Sequence, residues 1–590
     1  MKKSLFSTLI LISCAGSLFG QMTVTLTATS TQVSVGTPIG WNTQVDGVDP
    51  DGSAPPPIWY RYRVRLIGED YAMVSDFGPN QNLQWAPSAR EGTYEMEVTA
   101  MNVTTGEEAV QNAVFHVMPL ATSAPVVTPT SHPLVFLYSA PGCTAGSRMR
   151  LAIQDPSGNL QTTPYKACRG GVTTNFYVAG MQPNTAYQVH HTIDTGSAFV
   201  DGPGMNVTTG SLPQSFASYS VLKAPPATTQ EVLLQSTLFE PTVATDLNGN
   251  ILWYYPSGDV SFLTRPESGG RFLGVYEDST KDKAHQVLRE FDLVGNTIQQ
   301  TNAARVNQQL QAMNKRQINS FHHEALRLPD GSIMTLGAVE QILTDVQGPG
   351  PVDVIGDMII VLDKNLQVIW TWDAFDHLDP TRMATLNETC TPTTGGCPPV
   401  YLAPKANDWL HGNALQLTPD GNILYSMRHQ DWIAKIDYSN GAGSGNIIWR
   451  LGLGGDFTIN SSDPNPWFSH QHNPNIESVD TSLLDVFDNG NVRYAQDGSA
   501  HSRGQVYKLD EQNRVATPIL NADLGAYALA VGSAQRLADD NYHFDLGFIN
   551  TAQGQFSQSV EFDAFGNLLY KIQTPTPAYR TFRLKSLYVQ

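Results

Sequence analysis

The chain has 590 residues, more than one ordinary core organises, so roughly two to four domains are expected. Only 15% of the residues are charged, and 35 Lys and Arg against 54 Asp and Glu give a net charge of −19. With no basic patch and no arginine-rich tail, the composition argues against nucleic acid as a partner, and the acidic balance favours solubility.

Residues 1–20 carry two lysines, an apolar run from Leu5 to Ile12 and then small residues, the layout of a secretory signal peptide. Cleavage after Gly20 would release the protein into the periplasm or the medium. The alternative is a lipid anchor, because Leu11-Ile12-Ser13-Cys14 resembles a lipoprotein box. No other stretch is apolar for long enough to span a bilayer. Past the signal, Cys143, Cys168, Cys390 and Cys397 form an even set in an oxidising compartment, and their spacing predicts the disulfides Cys143–Cys168 and Cys390–Cys397. A zinc site is the rival reading, but neither pair has C-x-x-C spacing or a nearby histidine.

From 21 to 119, short Thr/Val/aromatic strands such as Trp59–Val64 and Gly92–Val98 alternate with Gly, Pro and Asp turns, which predicts an immunoglobulin-like β-sandwich. A second, fibronectin type III-like sandwich is expected over 120–212, where Met181–Val189 resembles the corner before a late strand. The hexapeptide MNVTTG recurs at Met101 and Met205. Neither stretch clusters His, Asp and Glu, so both are read as structural or presenting modules.

From 213 to 590 the repeat lengthens. An Asp/Asn-Gly or similar turn precedes an aromatic strand at Asn248–Tyr254, Asn365–Trp372, Asn446–Arg450 and Phe565–Tyr570. This predicts an all-β, six-bladed β-propeller behind the two β-sandwich modules, at roughly sixty residues per blade over about 375 residues. A single inserted helix is expected at Val306–Gln317. Trp370, Trp372, Trp409, Trp449 and Trp467 read mainly as blade packing.

Two of these blades share a hairpin. Asn319–Met334 and Asn407–Asp437 each carry a Leu-x-Leu strand, a Pro-Asp-Gly turn and a returning strand, and four residues before the first leucine stand His322 and His411. Arg428 and His429 follow the return of the second hairpin. A third blade, in Trp467–Asn491, has His470 and His472 at its entrance. Strands converging on one channel would make these histidines neighbours.

The succession FHHEALRLPDGS, DWLHGNALQLTPDGNILYSMRHQDWIAKID, WRLG, QHNPNI and FDNGN, over about His322 to Asp510, resembles the bacterial arylsulfate sulfotransferases. The resemblance implies an exported six-bladed propeller that moves a sulfuryl group from an aryl sulfate to a phenolic acceptor with no cofactor and no nucleotide donor. It also implies a ping-pong reaction through a sulfated histidine. Carried over by position, His472 after Gln471 is the nucleophile, His411, Arg428 and either His322 or His323 complete the catalytic set, and Asn413 binds substrate. His470 leaves open which imidazole reacts. The polar residue of the family's last blades has no clear counterpart, Ser533 being the nearest guess, and the 210 N-terminal residues differ from the family's short leader domain. His429, His501 and His543 read as structural. Arg428 would hold sulfate oxygens through its planar fork, and a neutral imidazole is a competent nucleophile near pH 7. Two rival readings use the same residues: a His-ligated metal-dependent hydrolase, and a non-catalytic propeller that only binds.

Overall fold

The computed structural model describes residues 22–47, 57–213, 216–226, 231–257, 261–276 and 286–588. The expected signal peptide and Cys14 lie outside them. The fold is nearly all β, with two α-helices among the described residues. No helix among them is long and apolar enough to cross a membrane.

Strands between Thr23 and Met118 form two facing sets. Thr23–Ala28, Ile39–Asp46 and Asn82–Trp85 make one sheet, and Gln32–Ser34, Glu108–Met118, Gly92–Asn102, Ile58–Leu66 and Ala72–Gly78 make the other. Alternation in Ile58–Leu66 buries Tyr60, Tyr62 and Val64 between them, around Trp41 and Phe115. Between Val126 and Thr208 a second pair of sheets encloses Tyr138, Leu151, Phe176 and Val189. Both disulfides read from the sequence are present, Cys143–Cys168 and Cys390–Cys397.

Beyond residue 231 the described chain contributes to six sheets, each containing a unit of four antiparallel strands and some carrying further strands at an edge. The second unit comprises Ser261–Glu267, Arg271–Tyr276, Val287–Asp292 and Thr297–Asn302; the fourth comprises Gly412–Leu417, Ile423–Met427, Trp432–Ile436 and Ile447–Leu451. The first unit takes its leading strand from the far end of the chain, since Ala578–Leu584 pairs with Val232–Thr237. Leading strands of successive units are laced by side chains that satisfy the neighbour's backbone. Gln416 donates to Ile476 O (2.8 Å) and accepts from Ile476 N (2.7 Å), and Gln535 does the same with Arg583 (3.0 and 3.0 Å).

Local chemistry sets the turns. Asp246, Asp292 and Asp563 each cap a D-x-x-G-N turn by accepting the backbone N–H and the side-chain amide of the asparagine four residues on. In the Pro419-Asp420-Gly421 turn, Gly421 has φ +80° and a Cβ there would meet the Asn440 amide at 2.4 Å, so glycine is required twice over.

The inserted helix spans Ala303–Ala312 and not Val306–Gln317. It starts earlier because the Asn302 side chain accepts from Arg305 N and caps it, and because Ala303, Val306 and Leu310 form its buried stripe. A second helix, Asn491–Asp497, was not foreseen. The first module is bonded to this part of the chain. Ala72–Gly78 runs parallel to Thr297–Asn302, Asn302 donates to Phe77 O (2.8 Å), and Arg305 pairs with Asp76 (3.2 Å). The second module shares a core with the first four-stranded unit: Trp253 is fully buried, stacks on Phe272 (4.5 Å, 12°) and donates to Leu293 O (2.7 Å). Trp253→Ala is therefore expected to destabilise the protein by ~3–5 kcal/mol, and chemical denaturation of both proteins measures it.

Candidate active site

The leading strands of the third, fourth and fifth units all break register at one level, between His322 and Ala325, between Gly412 and Ala414, and between His472 and Asn475. His323 and Asn473 occupy the bulges of the third and fifth units at φ 55° and 45°, and His411, at φ 52°, immediately precedes the leading strand of the fourth. Non-glycine residues adopt this left-handed region rarely, and a bulge re-aims the side chains beside it. Here the bulges bring the imidazoles of separate units together. The rings of His323 and His411 are 4.8 Å apart and those of His411 and His429 4.6 Å.

His472 is buried. Its Nδ1 lies 2.6 Å from Asn489 Oδ1. The Asn489 amide nitrogen already donates to Ala528 O (2.9 Å) and Val531 O (3.1 Å), so the oxygen faces the ring and must accept from Nδ1–H. That fixes the tautomer and leaves the lone pair on Nε2. Burial first, and then the nearby Arg428 charge, hold the His472 pKa well below the ordinary imidazole value, so the ring stays neutral.

His470 is differently committed. Its Nε2 pairs with Glu388, its Nδ1 with Asp431 at 3.0 Å, and its side chain is fully buried. His411 Nδ1 bonds Asp408 (2.7 Å). His429 uses Nδ1 on Asp408 O (2.7 Å) and Nε2 on Arg428 Nη1, so it anchors the arginine. Arg428 Nη2 also reaches Leu529 O (3.3 Å), and its Nε is buried without a hydrogen-bond partner. Burial lowers the Arg428 pKa, opposed by Glu388 and Asp408.

The double histidine divides its tasks. His322 Nε2 pairs with Asp357 (3.0 Å), and its Nδ1 meets His323 Nδ1 at 3.0 Å. Burial disfavours a charge on Asp357, but His322, the Tyr425 hydroxyl and the Gly412 N–H together outweigh it, so the carboxyl stays below its usual value. His323 is held neutral by burial, with His411, His322, His472 and Arg428 adding to the effect, which places it among the other site residues. Asn413 donates to Gln471 O (2.7 Å), while its Oδ1 is buried without a hydrogen-bond partner.

Ser533 does not join this group as guessed. Its hydroxyl donates to Thr581 O (3.1 Å) in the closing strand. His501 pairs with Asp523 near the surface (2.8 Å), and His543 bonds Thr581 in the interior (2.8 Å). Trp409 and Trp449 are buried, and Trp372 donates to Gly445 O (2.8 Å). Sequence reasoning missed Asp357, Glu388, Asn489 and Tyr579, whose hydroxyl lies within reach of His323 O (2.8 Å) and Asn413 O (3.0 Å). Only Asn489 had a signal, as part of the quoted FDNGN block.

Two carboxylate–imidazole groups have metal-compatible spacing, Glu388/His429/His470 and Asp408/His411/His429. The Arg428 guanidinium on His429 Nε2 puts a fixed cation on the Glu388 side, and on the Asp408 side His429 Nδ1 already bonds Asp408 O. A largely buried arginine with an unpartnered N–H beside a neutral, tautomer-fixed imidazole defines a site for a small oxyanion and a nitrogen nucleophile. Residues 216–577 match the family described as Arylsulfotransferase (ASST), and the chain belongs to that family. No curated protein matches the chain. Among solved structures, chicken CNTN1 FN1-FN3 domains are similar at 10% identity over 31% of this chain and 66% of that chain, just under two thirds, with a TM-score of 0.13.

Asn489→Leu removes the acceptor of the His472 Nδ1–H at similar volume. Steady-state assays are expected to give a kcat about 10²-fold lower, with Asn489→Asp retaining more activity than Asn489→Leu.

Proposed function

We propose that this chain transfers a sulfuryl group from an aryl sulfate to a phenolic acceptor by a ping-pong reaction through a sulfated His472, on a six-bladed propeller whose six units are closed by Ala578–Leu584. The observation that carries this reading is the His472–Asn489 bond, which aims a neutral Nε2 lone pair into the site beside Arg428. In the first half-reaction Nε2 attacks sulfur and the S–O(aryl) bond breaks. The aryloxide leaves with the electron pair and takes a proton from the His411 imidazolium, His323 being the second, neutral imidazole. Arg428 and a donor N–H of the second imidazole hold the sulfuryl oxygens as their charge grows. In the second half-reaction the acceptor phenol gives its proton to the imidazole that lost one. Its oxygen attacks sulfur, and the N–S bond returns its electrons to Nε2.

The roles of the other residues follow from their bonds. Asp357 and His322 orient His323, so His323 is read as the member of the double histidine that faces substrate. His470, with both nitrogens on carboxylates, is read as a brace for the Glu388 segment. Asn413 presents an amide oxygen to substrate. Strands 23–118 and 126–208 are read as an immunoglobulin-like and a fibronectin type III-like module that brace the propeller. The two disulfides fit an exported protein of the periplasm or medium.

Mass spectrometry of protein soaked in 4-nitrophenyl sulfate should find one sulfuryl group, on His472. Its appearance on His470 instead, or undiminished transfer by His472→Asn, would sink the mechanism. Arg428→Ala should lose about 10²–10³ in kcat, read by acceptor-dependent release of 4-nitrophenol. Because the pKa values of His472 and His323 are both depressed, the neutral forms persist below the ordinary imidazole pKa of 6.5. The acid limb of kcat/KM should therefore fall well below pH 6.5; an inflection at or above 6.5 contradicts the assignment.

A further inference from the structure

Two loops overhang Arg428 and His472, and both present apolar side chains at the mouth. Loop 524–532 reaches Arg428 directly and His472 through Asn489: Leu529 O accepts from Arg428, and Ala528 O and Val531 O hold the Asn489 amide that orients His472. Its side chains face differently. Leu529 is 45% exposed, and Tyr527 lies face to face with Tyr494, ring centroids 3.7 Å apart and planes 2° from parallel. Tyr494 belongs to helix Asn491–Asp497, two residues after Asn489, and is 37% exposed. From the other side, Thr385 donates from its N–H (2.7 Å) and its hydroxyl (3.0 Å) to His429 O, which sets Met383 and Leu386, both exposed, over the arginine turn.

Single exposed apolar residues are ordinary on any surface. These five, Tyr527 half-buried and the other four exposed, come from three separate segments, and each segment is bonded to the Arg428 turn or to the holder of His472. A sulfate ion would gain nothing from such a rim. An aryl group carried on the sulfur would, because a ring bound to an oxygen of the sulfuryl group must leave the arginine toward the mouth. The Tyr527 hydroxyl is within electrostatic reach of Arg428, whose charge works against the burial that raises this phenol to about 12. One tyrosine stacked on another forms a stiff wall at low entropic cost to a stacking ligand.

We propose that Tyr527, braced by Tyr494, and Leu529 form the aryl-binding wall of the site, the surface that receives the ring of both the aryl sulfate and the phenol. This wall would select for aromatic over aliphatic sulfates and leave the sulfuryl group to Arg428. It rests on the sulfuryl-transfer reading for its role in turnover, but not for binding.

The test therefore uses a ligand that binds without reacting. 4-Nitrobenzenesulfonate carries its sulfur on carbon and has no ester oxygen to release. Calorimetry on the full chain is expected to show about tenfold weaker binding of this sulfonate to Tyr527→Ala and to Leu529→Ala. Tyr527→Phe, which keeps the ring, should stay within about twofold, and the affinity for inorganic sulfate should be unchanged in all three. Undiminished sulfonate binding in both alanine variants overturns the wall. So does a parallel loss of sulfate affinity, which would mean that the loop acts only by supporting Arg428. Turnover of 4-nitrophenyl sulfate is scored separately. If the sulfonate result holds and no acceptor-dependent release occurs, the transfer chemistry falls and the aryl wall stands. If release occurs with unchanged KM in both variants, the wall falls and the transfer stands.

Discussion

The carboxylate of Glu324 is the point on which the site depends. It is fully buried, and a buried charge is tolerated only when paired and hydrogen-bonded. One oxygen takes Arg265 from the second unit (2.8 Å), and the other takes Arg580 from the closing strand (2.8 Å) and lies 3.4 Å from Leu415 N in the fourth unit. Arg580 in turn donates to Asn413 O (3.1 Å). Burial works against a charge on Arg580, but Glu324 and Tyr579 together outweigh it and raise the pKa. Four units are thus held around one anion. Loss of one partner of such a pair costs about 3–5 kcal/mol, which is why these strands approach closely enough for their histidines to touch.

Glu324 follows His323 directly, so the residue that ties the units together and the left-handed residue that turns an imidazole into the site share one bulge. The same logic recurs in the fifth unit, where Asn473 takes the left-handed position beside His472 and donates to Ala534 O of the sixth (2.9 Å). Strain at these positions is sustained by bonds to neighbouring units. Around this frame a second layer fixes protonation rather than position. Asn489 sets the tautomer of His472, Asp357 pairs with the outer nitrogen of the His322–His323 pair, and His429 keeps Arg428 in place.

The sequence carried the recurring parts of this arrangement well. The register of His322 and His411 before Leu-x-Leu and Pro-Asp-Gly is local, and so are the Asp/Asn-Gly turns and the cysteine spacings. What it did not carry is long-range pairing. Nothing in Ala578–Leu584 says that it pairs with Val232–Thr237, so Tyr579 and Arg580 could not be placed at the channel, and Ser533 was guessed into a site from which its hydroxyl is turned away. The doubt between His470 and His472 had the same source. It turns on Glu388 and Asp431, 82 and 39 residues away in the chain, and on the Asn489 amide. The early start of the helix was legible in retrospect from Asn302 as a cap.

The parallel contact between Ala72–Gly78 and Thr297–Asn302 joins five strands of the first module and four of the second unit into one nine-stranded sheet. A chain shortened to begin after this module would leave Thr297–Asn302 as an open edge, with Arg305 deprived of Asp76 and Asn302 of the Phe77 carbonyl. Open strand edges recruit other strands. Ala72–Gly78 therefore covers the outer edge of the second unit, an edge that would otherwise be open to pairing with a strand of another chain.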